Sequence, residues 1–421
     1  MSSGTTTSLS ARTAFPLSLV GLYLVIVIIA SSARFEGDEG GYVYNATRMI
    51  YGPAVSPQDL RLWWGPGYPL VLIPFIVVGA PWIVVKLLNV VFLFGAVMYC
   101  YALLRRYLDR TTALIVTLCL GLYPPFMRDL HRVSPEPLTL FLICGFMLHF
   151  CALYNDAQRH QLNLFAASLY LAYLALTKVI FGYVIAIALA ILIVLLVGRW
   201  AKAFRKAIPV VLLALTWCVP YLLYTYSLTG KVFYWGTAGG MQFYWMTTPY
   251  ANESGSWFSA KDVKERPELA PHREFFATLE GLSDTARDDA YWKQAIYNIV
   301  HHPAKYLFNW VANVGRLLFS YPFSFGPHSL TTFFYLVPNM FIVVLFLMSV
   351  IPAALRAKAI PLELWGILVF VLIAFGGSTL LSAYDRHFRP LVPGLGVWMA
   401  FVYNRVLRVE LCPHNEGSQF R

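Results

Sequence analysis

The segment FPLSLVGLYLVIVIIASSARFEGDEGGYVYNATRMIYG (residues 15–52) joins a charge-free apolar run to a cluster of carboxylates. The apolar run is close to the roughly 20 residues that a helix needs to cross a bilayer. Glu36, Asp38 and Glu39 follow at the point where that helix would leave the membrane. Since membrane interfaces are anchored by aromatic and basic side chains rather than by acids, three carboxylates here indicate a function.

The residues after the carboxylates predict a short amphipathic helix over residues 40–51. In such a helix Asp38, Tyr42 and Asn45 would lie along one side, opposite an apolar face. This helix would lie at the membrane interface and hold a carboxylate at the mouth of a cavity. The sequence RLWWGPGYPLVLIPF (61–75) then brackets a turn with two Trp and three Pro before another apolar stretch.

The composition is that of a membrane protein. The chain has 421 residues, of which 58% are hydrophobic and 13% are charged, about half the charged fraction of a soluble domain. The fold class predicted is therefore an all-α polytopic membrane protein. The net charge of +11 is explained by basic cytoplasmic loops, so nucleic acid is not a predicted partner. The six Cys include no pair within one exterior loop, and no disulfide framework is expected.

Ten apolar segments predict about ten transmembrane helices, with the first retained rather than cleaved as a signal peptide. Four basic clusters fall on one side of the membrane if the N-terminus is cytoplasmic, as the positive-inside rule requires. These clusters are RRYLDR (105–110), GRWAKAFRK (198–206), LRAK (355–358) and NRVLR (404–408). The predicted spans are 14–33, 82–104, 112–126, 134–154, 162–177, 179–197, 208–226, 331–355, 361–381 and 390–406.

This topology predicts one transmembrane domain over residues 1–406 and a cytoplasmic tail over 407–421. The domain includes a first outer loop, 34–81, and a second outer loop, 227–330. The second loop is long enough for a small helical cap, and its residues 302–323 predict an amphipathic helix on the outer interface.

Charged residues gather at the outer mouths of the predicted helices, which suggests one polar cavity facing outward. A charge at the bilayer centre costs about 2.5–3.5 kcal/mol on insertion scales, so intramembrane charges are functional candidates. An alternative is that Lys86, Lys178 and Arg389 reach the interface with long side chains. Glu136 has the alternative role of an acid in the first turn of a helix capped by Ser134.

The ordered motifs resemble those of membrane glycosyltransferases of the GT-C fold, most closely the protein O-mannosyltransferase and aminoarabinose-transferase group (glycosyltransferase families 39 and 83). The resemblance covers most of residues 14–406. The chain departs from the group at Gly65-Pro66-Gly67, where aminoarabinose transferases keep a Lys-Pro-Pro-like turn, and at Glu136, where many relatives keep Asp. The motifs are DEGGYVYNA (38–46), GPGYP (65–69), LLNVVFLFGAVMYCYALLRRY (87–107), SPEPLTLFL (134–142), LALTKV (174–179) and YDRHFRPLVP (384–393).

The resemblance implies that a sugar moves from a polyprenyl-phosphate-linked donor to a glycan, lipid or protein acceptor on the extracytoplasmic side. Such a reaction needs a carboxylate general base and cations that stabilise the leaving phosphate. Asp38 is the expected base, with Glu39 as its rival. Tyr42 and Glu136 are candidates for positioning hydroxyl groups. The expected phosphate-binding cations are Lys178, Arg386 and Arg389, followed by Lys86 and Arg61.

No cofactor and no metal ligand set are predicted, although carboxylates at such a site are compatible with a divalent cation. The expected location is a multi-pass protein of a bacterial inner (plasma) membrane, in the cell envelope. The alternative functions are a secondary transporter or flippase, a polysaccharide polymerase or ligase, and a non-catalytic assembly partner. The chain shows no inverted repeat of the kind typical of secondary transporters.

Overall fold

The computed structural model describes residues 7–196, 204–326 and 331–407. These ranges are helical and contain no β-strand, only an isolated bridge between Ser56 and Asp59. The helices are α1 (Thr7–Ala30), α2 (Glu39–Tyr51), α3 (Gly67–Val77), α4 (Trp82–Leu104), α5 (Arg110–Gly121), α6 (Pro124–Met127), α7 (Glu136–Asn155), α8 (His160–Thr177), α9 (Ile180–Leu196), α10 (Ala207–Thr229), α11 (Gly239–Met246), α12 (Ala260–Glu265), α13 (Arg273–Thr278), α14 (Asp284–His301), α15 (Pro303–Phe319), α16 (Thr331–Leu355), α17 (Leu362–Thr379) and α18 (Val392–Phe401).

The prediction of an all-α integral membrane protein is confirmed. Five helices, α4, α7, α10, α16 and α17, are long and apolar enough to cross a membrane by length and composition, and α1, α3, α5 and α9 contain shorter apolar stretches. Each of the ten predicted spans coincides with a helix, but ten crossings stay a prediction. The predicted tail, 407–421, lies outside the described residues from residue 408 onward.

The connecting segments divide between two ends of the helix bundle. At one end, Arg405 donates to the carbonyl of Tyr107 and Arg356 donates to that of Val406. Three of the four basic clusters therefore share this end, which we call the basic end. Most of the fourth cluster, residues 198–203, lies outside the described residues.

The opposite end carries the long segments 31–81, 122–135, 230–326 and 380–391, and we call it the loop-rich face. The two long loops are joined there by backbone hydrogen bonds, from Thr237 to Leu62 and from Asp284 to Pro57. Separate parts of the chain thus meet at one end, as the distribution of charged residues predicts.

A small helical cap, formed by α11 to α14, sits within the loop-rich face. It has its own apolar cluster, separate from the main core, around Trp245, Tyr244 and Phe276. Its polar centre is buried: the ring of His272 is hydrogen-bonded to Glu253 at 2.8 Å and to the Tyr244 hydroxyl at 2.7 Å. The cap places further aromatic side chains beside the charged residues described below.

Helix α15 is amphipathic, but its polar side faces inward. Asn309, Asn313 and Arg316 are fully buried, whereas Leu307 and Val311 are more than 60% exposed. An apolar outer face suits a helix lying against lipid at the membrane interface, as the sequence predicts.

Sequence reasoning did not identify α3, which packs against α2 and α8. Its entry is the turn Gly65-Pro66-Gly67, which lies against the C-terminus of α8. A Cβ atom at Gly65 would lie 2.1 Å from the carbonyl oxygen of Leu176, and one at Gly67 would lie 2.5 Å from the Thr177 hydroxyl oxygen. The two glycines therefore allow this turn to pack closely against the end of α8, next to Lys178.

We expect Gly65→Ala to lower the free energy of unfolding by about 1–3 kcal/mol, the usual cost of overpacking, because the backbone carbonyl of Leu176 cannot move aside. Gly40→Ala is the matched control, since nothing lies within 4 Å of its Cβ position and a helical Ala is favoured over Gly. Thermal or denaturant unfolding of the purified protein measures both. Equal stability of the two variants would contradict the packing argument.

Candidate functional site

A charged cavity of about 280 Å³ opens at the loop-rich face. Three distant segments supply its walls: residues 36–42, residues 128–136 and residues 384–389. Trp257, from the loop between α11 and α12 of the cap, completes the lining. The cavity is thus assembled from the helix mouths that carry the conspicuous charges of the sequence.

Apart from Glu39, the acidic side chains that line this cavity are paired with basic ones. Glu36 lies 2.6 Å from Arg132, and Asp38 lies 2.5 Å from Arg386. Glu136 lies 2.6 Å from Lys178. The pairing compensates the cost of placing charges in a poorly solvated site. The remaining group consists of Arg389, which pairs with both Asp129 and Asp385, and Arg128, which lies 3.7 Å from Asp385.

The pairs differ in their access to water. The side chains of Asp38 and Arg386 are each 37% exposed, whereas that of Arg389 is only 5% exposed. Burial opposes the charge on Arg386, but the carboxylates of Asp38 and Glu136 outweigh burial and raise its pKa. The Asp38–Arg386 pair is therefore a charged, solvent-accessible pair at the wall of the cavity.

Glu39 is placed differently from its neighbour Asp38. It is 4% exposed, and its two carboxylate oxygens accept the backbone N–H groups of Val133 at 2.5 Å and Glu36 at 2.7 Å. These bonds join the start of α2 to the segment before α7. Glu39 lines the charged cavity but has a clear structural role.

A second cavity, of about 140 Å³, adjoins the first, and we call it the aromatic cavity. Tyr42 and Arg386 line both cavities, while Lys178 and His387 line this one. Lys178 reaches across to Glu136, which lines the charged cavity. The Nδ1 atom of His387 is buried without a hydrogen-bond partner, and burial together with Lys178 and Arg386 lowers the pKa of His387 well below its usual value.

An apolar groove of about 100 Å³ lies between α7, α8, α9, α10 and α17. Helix α9 lines the aromatic cavity with Ile180 and Tyr183, and lines the groove with Ile185 and Ala188 further along. Helix α17 likewise contributes to both spaces. Two helices therefore line both the aromatic cavity and the apolar groove.

Two of the predicted binding residues lie elsewhere. Lys86 is 3% exposed and donates to the carbonyl of Ser32 at 2.7 Å. Arg61 has a φ of 56° and donates to the carbonyls of Arg48 and Pro53. Neither residue lines one of the cavities described here. Glu136 does lie in the first turn of α7, as its alternative role predicts, but Ser134 donates to Glu136 and does not cap the helix.

Sequence reasoning missed several residues of the site. Asp129 and Asp385 were recognisable as charges at helix mouths, but their common partner Arg389 is visible only in three dimensions. Trp257 and His387 gave no signal, because aromatic residues are abundant in the outer loops. Among residues 7–196, 204–326 and 331–407, no group of three or more His, Cys, Asp or Glu side chains could hold a metal ion.

Solved structures with a similar fold were found by comparison. The archaeal oligosaccharyltransferase AglB from Archaeoglobus fulgidus, in complex with an inhibitory peptide and a dolichol-phosphate, aligns with a TM-score of 0.53 at 13% identity over 94% of this chain. The apo form of that enzyme aligns with a TM-score of 0.54 at 12% identity over 92% of this chain. ArnT from Cupriavidus metallidurans, bound to undecaprenyl phosphate, aligns over 92% of this chain and 78% of its own, with 14% identity and a TM-score of 0.41.

The similarity to AglB confirms the predicted GT-C fold of membrane glycosyltransferases. The chain spans about half the length of the AglB structures that it matches, since it covers 50% of each of the two chains above. No protein-family model matches this chain, and no curated protein matches its sequence.

We expect Glu39→Gln to lower the free energy of unfolding by about 1–3 kcal/mol, because a carboxamide has one accepting oxygen for the two N–H groups of Val133 and Glu36 and leaves a buried donor unsatisfied. Glu36→Gln is the control. The Glu36 side chain is 57% exposed, and loss of such a pair costs about 0–1 kcal/mol. Denaturant unfolding measures the two, and a neutral effect of Glu39→Gln would exclude its structural role.

Proposed function

We propose that the protein is a membrane glycosyltransferase that moves a sugar from a polyprenyl-phosphate donor to an acceptor hydroxyl on the extracytoplasmic side. The observation that carries the proposal is the Asp38–Arg386 pair, a solvent-accessible carboxylate and guanidinium at the junction of two cavities. Helices α9 and α17, which line the aromatic cavity, also line the apolar groove. We therefore assign a base, a cation and a site for a lipid tail to one domain, residues 1–406.

In this reaction Asp38 accepts the proton of the acceptor hydroxyl while the hydroxyl oxygen bonds to the anomeric carbon of the donor. The bond from that carbon to the phosphate oxygen breaks, and polyprenyl phosphate leaves with the bonding electrons. Attack from the face opposite the leaving group inverts the anomeric configuration. Asp38 is favoured over Glu39 as the base because Glu39 already accepts two backbone hydrogen bonds.

Arg386 and Lys178 are the proposed partners of the donor phosphate, since both line the aromatic cavity. Cations that meet a developing negative charge stabilise the transition state. Arg389 is held by two buried carboxylates, so its proposed role is to support the wall of the site. Tyr42 and Glu136 line the charged cavity and are proposed to position hydroxyl groups of the sugar or acceptor.

The AglB structure with dolichol-phosphate supports a lipid-phosphate donor, since that enzyme shares the fold and carries such a lipid in its complex. Its inhibitory peptide belongs to an enzyme twice as long, so the acceptor of this chain is proposed from its own cavities. The basic end contains three of the four clusters that the positive-inside rule assigns to the cytoplasm. The loop-rich face is accordingly proposed to face outward, in a bacterial inner membrane.

We expect Asp38→Asn to lower the turnover rate by about 10²–10⁴-fold, the usual contribution of a general base, while the fold is kept. The measurement is transfer from radiolabelled polyprenyl-phosphate sugars by the purified protein, together with thermal unfolding of both proteins. An unchanged rate in a stable Asp38→Asn variant would remove Asp38 from its role. A wild-type protein that moves the lipid between leaflets but transfers no sugar would instead support a flippase.

We expect Ala188→Trp to raise the KM for the lipid donor about tenfold or more, because an indole at this position fills the apolar groove that α9 lines, and tenfold corresponds to about 1.4 kcal/mol of binding. Ile187→Trp is the matched control, because Ile187 is adjacent on α9, is 46% exposed and does not line the groove. Steady-state kinetics with a varied donor concentration measure both. Equal KM values for the two variants would place the lipid tail elsewhere.

A further inference from the structure

A third space, which we call the cap cavity, lies between the cap and the first long loop and has a volume of about 290 Å³. It shares walls with the other two cavities: Trp257 also lines the charged cavity, and Trp63 also lines the aromatic cavity. A molecule in the cap cavity would therefore be separated from the Asp38 region by no more than a side-chain wall.

One face of helix α14 supplies the polar side of the cap cavity. Asp284, Arg287, Asp288 and Tyr291 all line it, and their spacing of i, i+3, i+4 and i+7 places them on one helical face. A helix in a cap would ordinarily bury an apolar stripe. Here the face presents two carboxylates and one guanidinium to the cavity, which indicates a ligand with hydrogen-bonding groups.

The carboxylates are held in place but keep accepting capacity. Asp288 accepts hydrogen bonds at 2.7 Å from the Tyr234 hydroxyl on one oxygen and from the Gly240 N–H on the other. Asp284 accepts from the Leu60 N–H at 2.8 Å. An ionised carboxylate has about four acceptor positions, so both residues have positions left for a ligand. Burial raises the pKa of both carboxyl groups, which reflects their limited contact with water.

The indoles of Trp63 and Trp257 supply the apolar side of the cavity. Both side chains are partly exposed, so their surfaces are available on the cavity side. An indole offers a broad apolar face with little loss of conformational freedom on binding. Pockets for small molecules combine such surfaces with a few fixed polar groups, and their volumes start at about 300 Å³.

The chemistry of the lining excludes other classes of ligand. Two carboxylates against one guanidinium disfavour an anion such as a phosphate. The described residues contain no group of three His, Cys, Asp or Glu side chains for a metal ion. A lipid chain would offer no hydrogen-bond donor to the accepting positions that Asp284 and Asp288 keep free, so it does not use the polar side of the cavity. A neutral ring with an apolar face and several hydroxyl groups satisfies both sides of the cavity.

We propose that the cap cavity binds a neutral sugar ring of a glycan acceptor, with an indole against the ring face and the sugar hydroxyls donating to Asp284 and Asp288. Its role as the acceptor site rests on the proposed sugar transfer. A glycan held there extends along Trp257 into the charged cavity, where a hydroxyl group of its next sugar unit lies beside Asp38. The acceptor is thus a saccharide, and the cap selects it.

The test is direct binding of methyl glycosides to the full chain, purified in dodecyldimethylamine oxide because that detergent contains no sugar. The probes are methyl α-glucopyranoside, methyl α-mannopyranoside, methyl α-galactopyranoside and methyl α-arabinofuranoside, followed by saturation-transfer NMR. We expect saturable binding of at least one probe, weakened about tenfold or more in Trp257→Ala and in Asp284→Asn. Asn can still accept from the Leu60 N–H, so the second variant preserves the local fold.

The controls lie outside the cap cavity and should bind the probe as the wild type does. Asp289→Asn changes a neighbouring carboxylate on α14, 61% exposed, that pairs with Lys231. Trp217→Phe changes a 44% exposed indole in α10. Absence of binding for all four probes, or binding that the two cavity variants leave unchanged, would overturn the proposal.

Release of polyprenyl phosphate from the donor is measured in parallel and distinguishes the two proposals. In the cavity variants we expect a raised KM for a saccharide acceptor and an unchanged KM for the donor. A raised donor KM alone would assign the cap cavity to the donor sugar and overturn the acceptor assignment. Saturable glycoside binding without any donor turnover in the wild type would overturn the sugar-transfer function and leave the sugar site standing.

Discussion

Pairing of buried charge is the constraint on which the loop-rich face depends. A single uncompensated ion in a poorly solvated site costs several kcal/mol, and removing one member of a buried pair costs about 3–5 kcal/mol. The chain meets this constraint with partners that are remote in sequence, as in the Arg389 group, where Asp129 and Asp385 share one guanidinium. These pairs constrain how the segments around the cavity are arranged, because the two members of a pair must lie in contact. Glu36 and Asp38, which follow the first apolar run, therefore pair with arginines at other helix mouths, Arg132 and Arg386.

Arg316 satisfies the same constraint by a different route. Its guanidinium is fully buried and has no carboxylate partner among the described residues; it donates to four backbone carbonyls and to the side-chain oxygen of Asn313. Burial lowers its pKa to about 10, so the group is charged at neutral pH. The carbonyls include those of Ser254 and Ala383, which lie shortly before Trp257 and Arg386 in the sequence. One side chain of α15 therefore holds together the loop between α11 and α12 of the cap and the segment that carries the proposed phosphate-binding arginine.

The sequence predicted the helices and the helix mouths well because both follow from local rules. Hydrophobic length and basic loops specify α4 and α16 within a residue or two, and the carboxylates of residues 36–39 mark the cavity. Partner choice could not be predicted, since nothing local links Asp38 to Arg386 across 348 positions of sequence. For the same reason the backbone contacts of Glu39, Lys86 and Arg61 were not foreseen. Helix α3 was missed because its prolines and the glycine turn resemble a loop until α8 is placed against them.

The difference in exposure among the ion pairs suggests how one array can be both rigid and reactive. An exposed pair contributes about 0–1 kcal/mol, so the partly exposed Asp38–Arg386 pair can exchange partners at little cost. The buried group around Arg389 cannot exchange partners at little cost, because breaking it would leave unpaired charges buried away from water. A donor phosphate that binds Arg386 would replace Asp38 as the partner of the guanidinium and release the carboxylate to face an acceptor hydroxyl. Under the proposed function, arrival of the donor would then itself unmask the base, so that proton transfer becomes available only when a leaving group is in place.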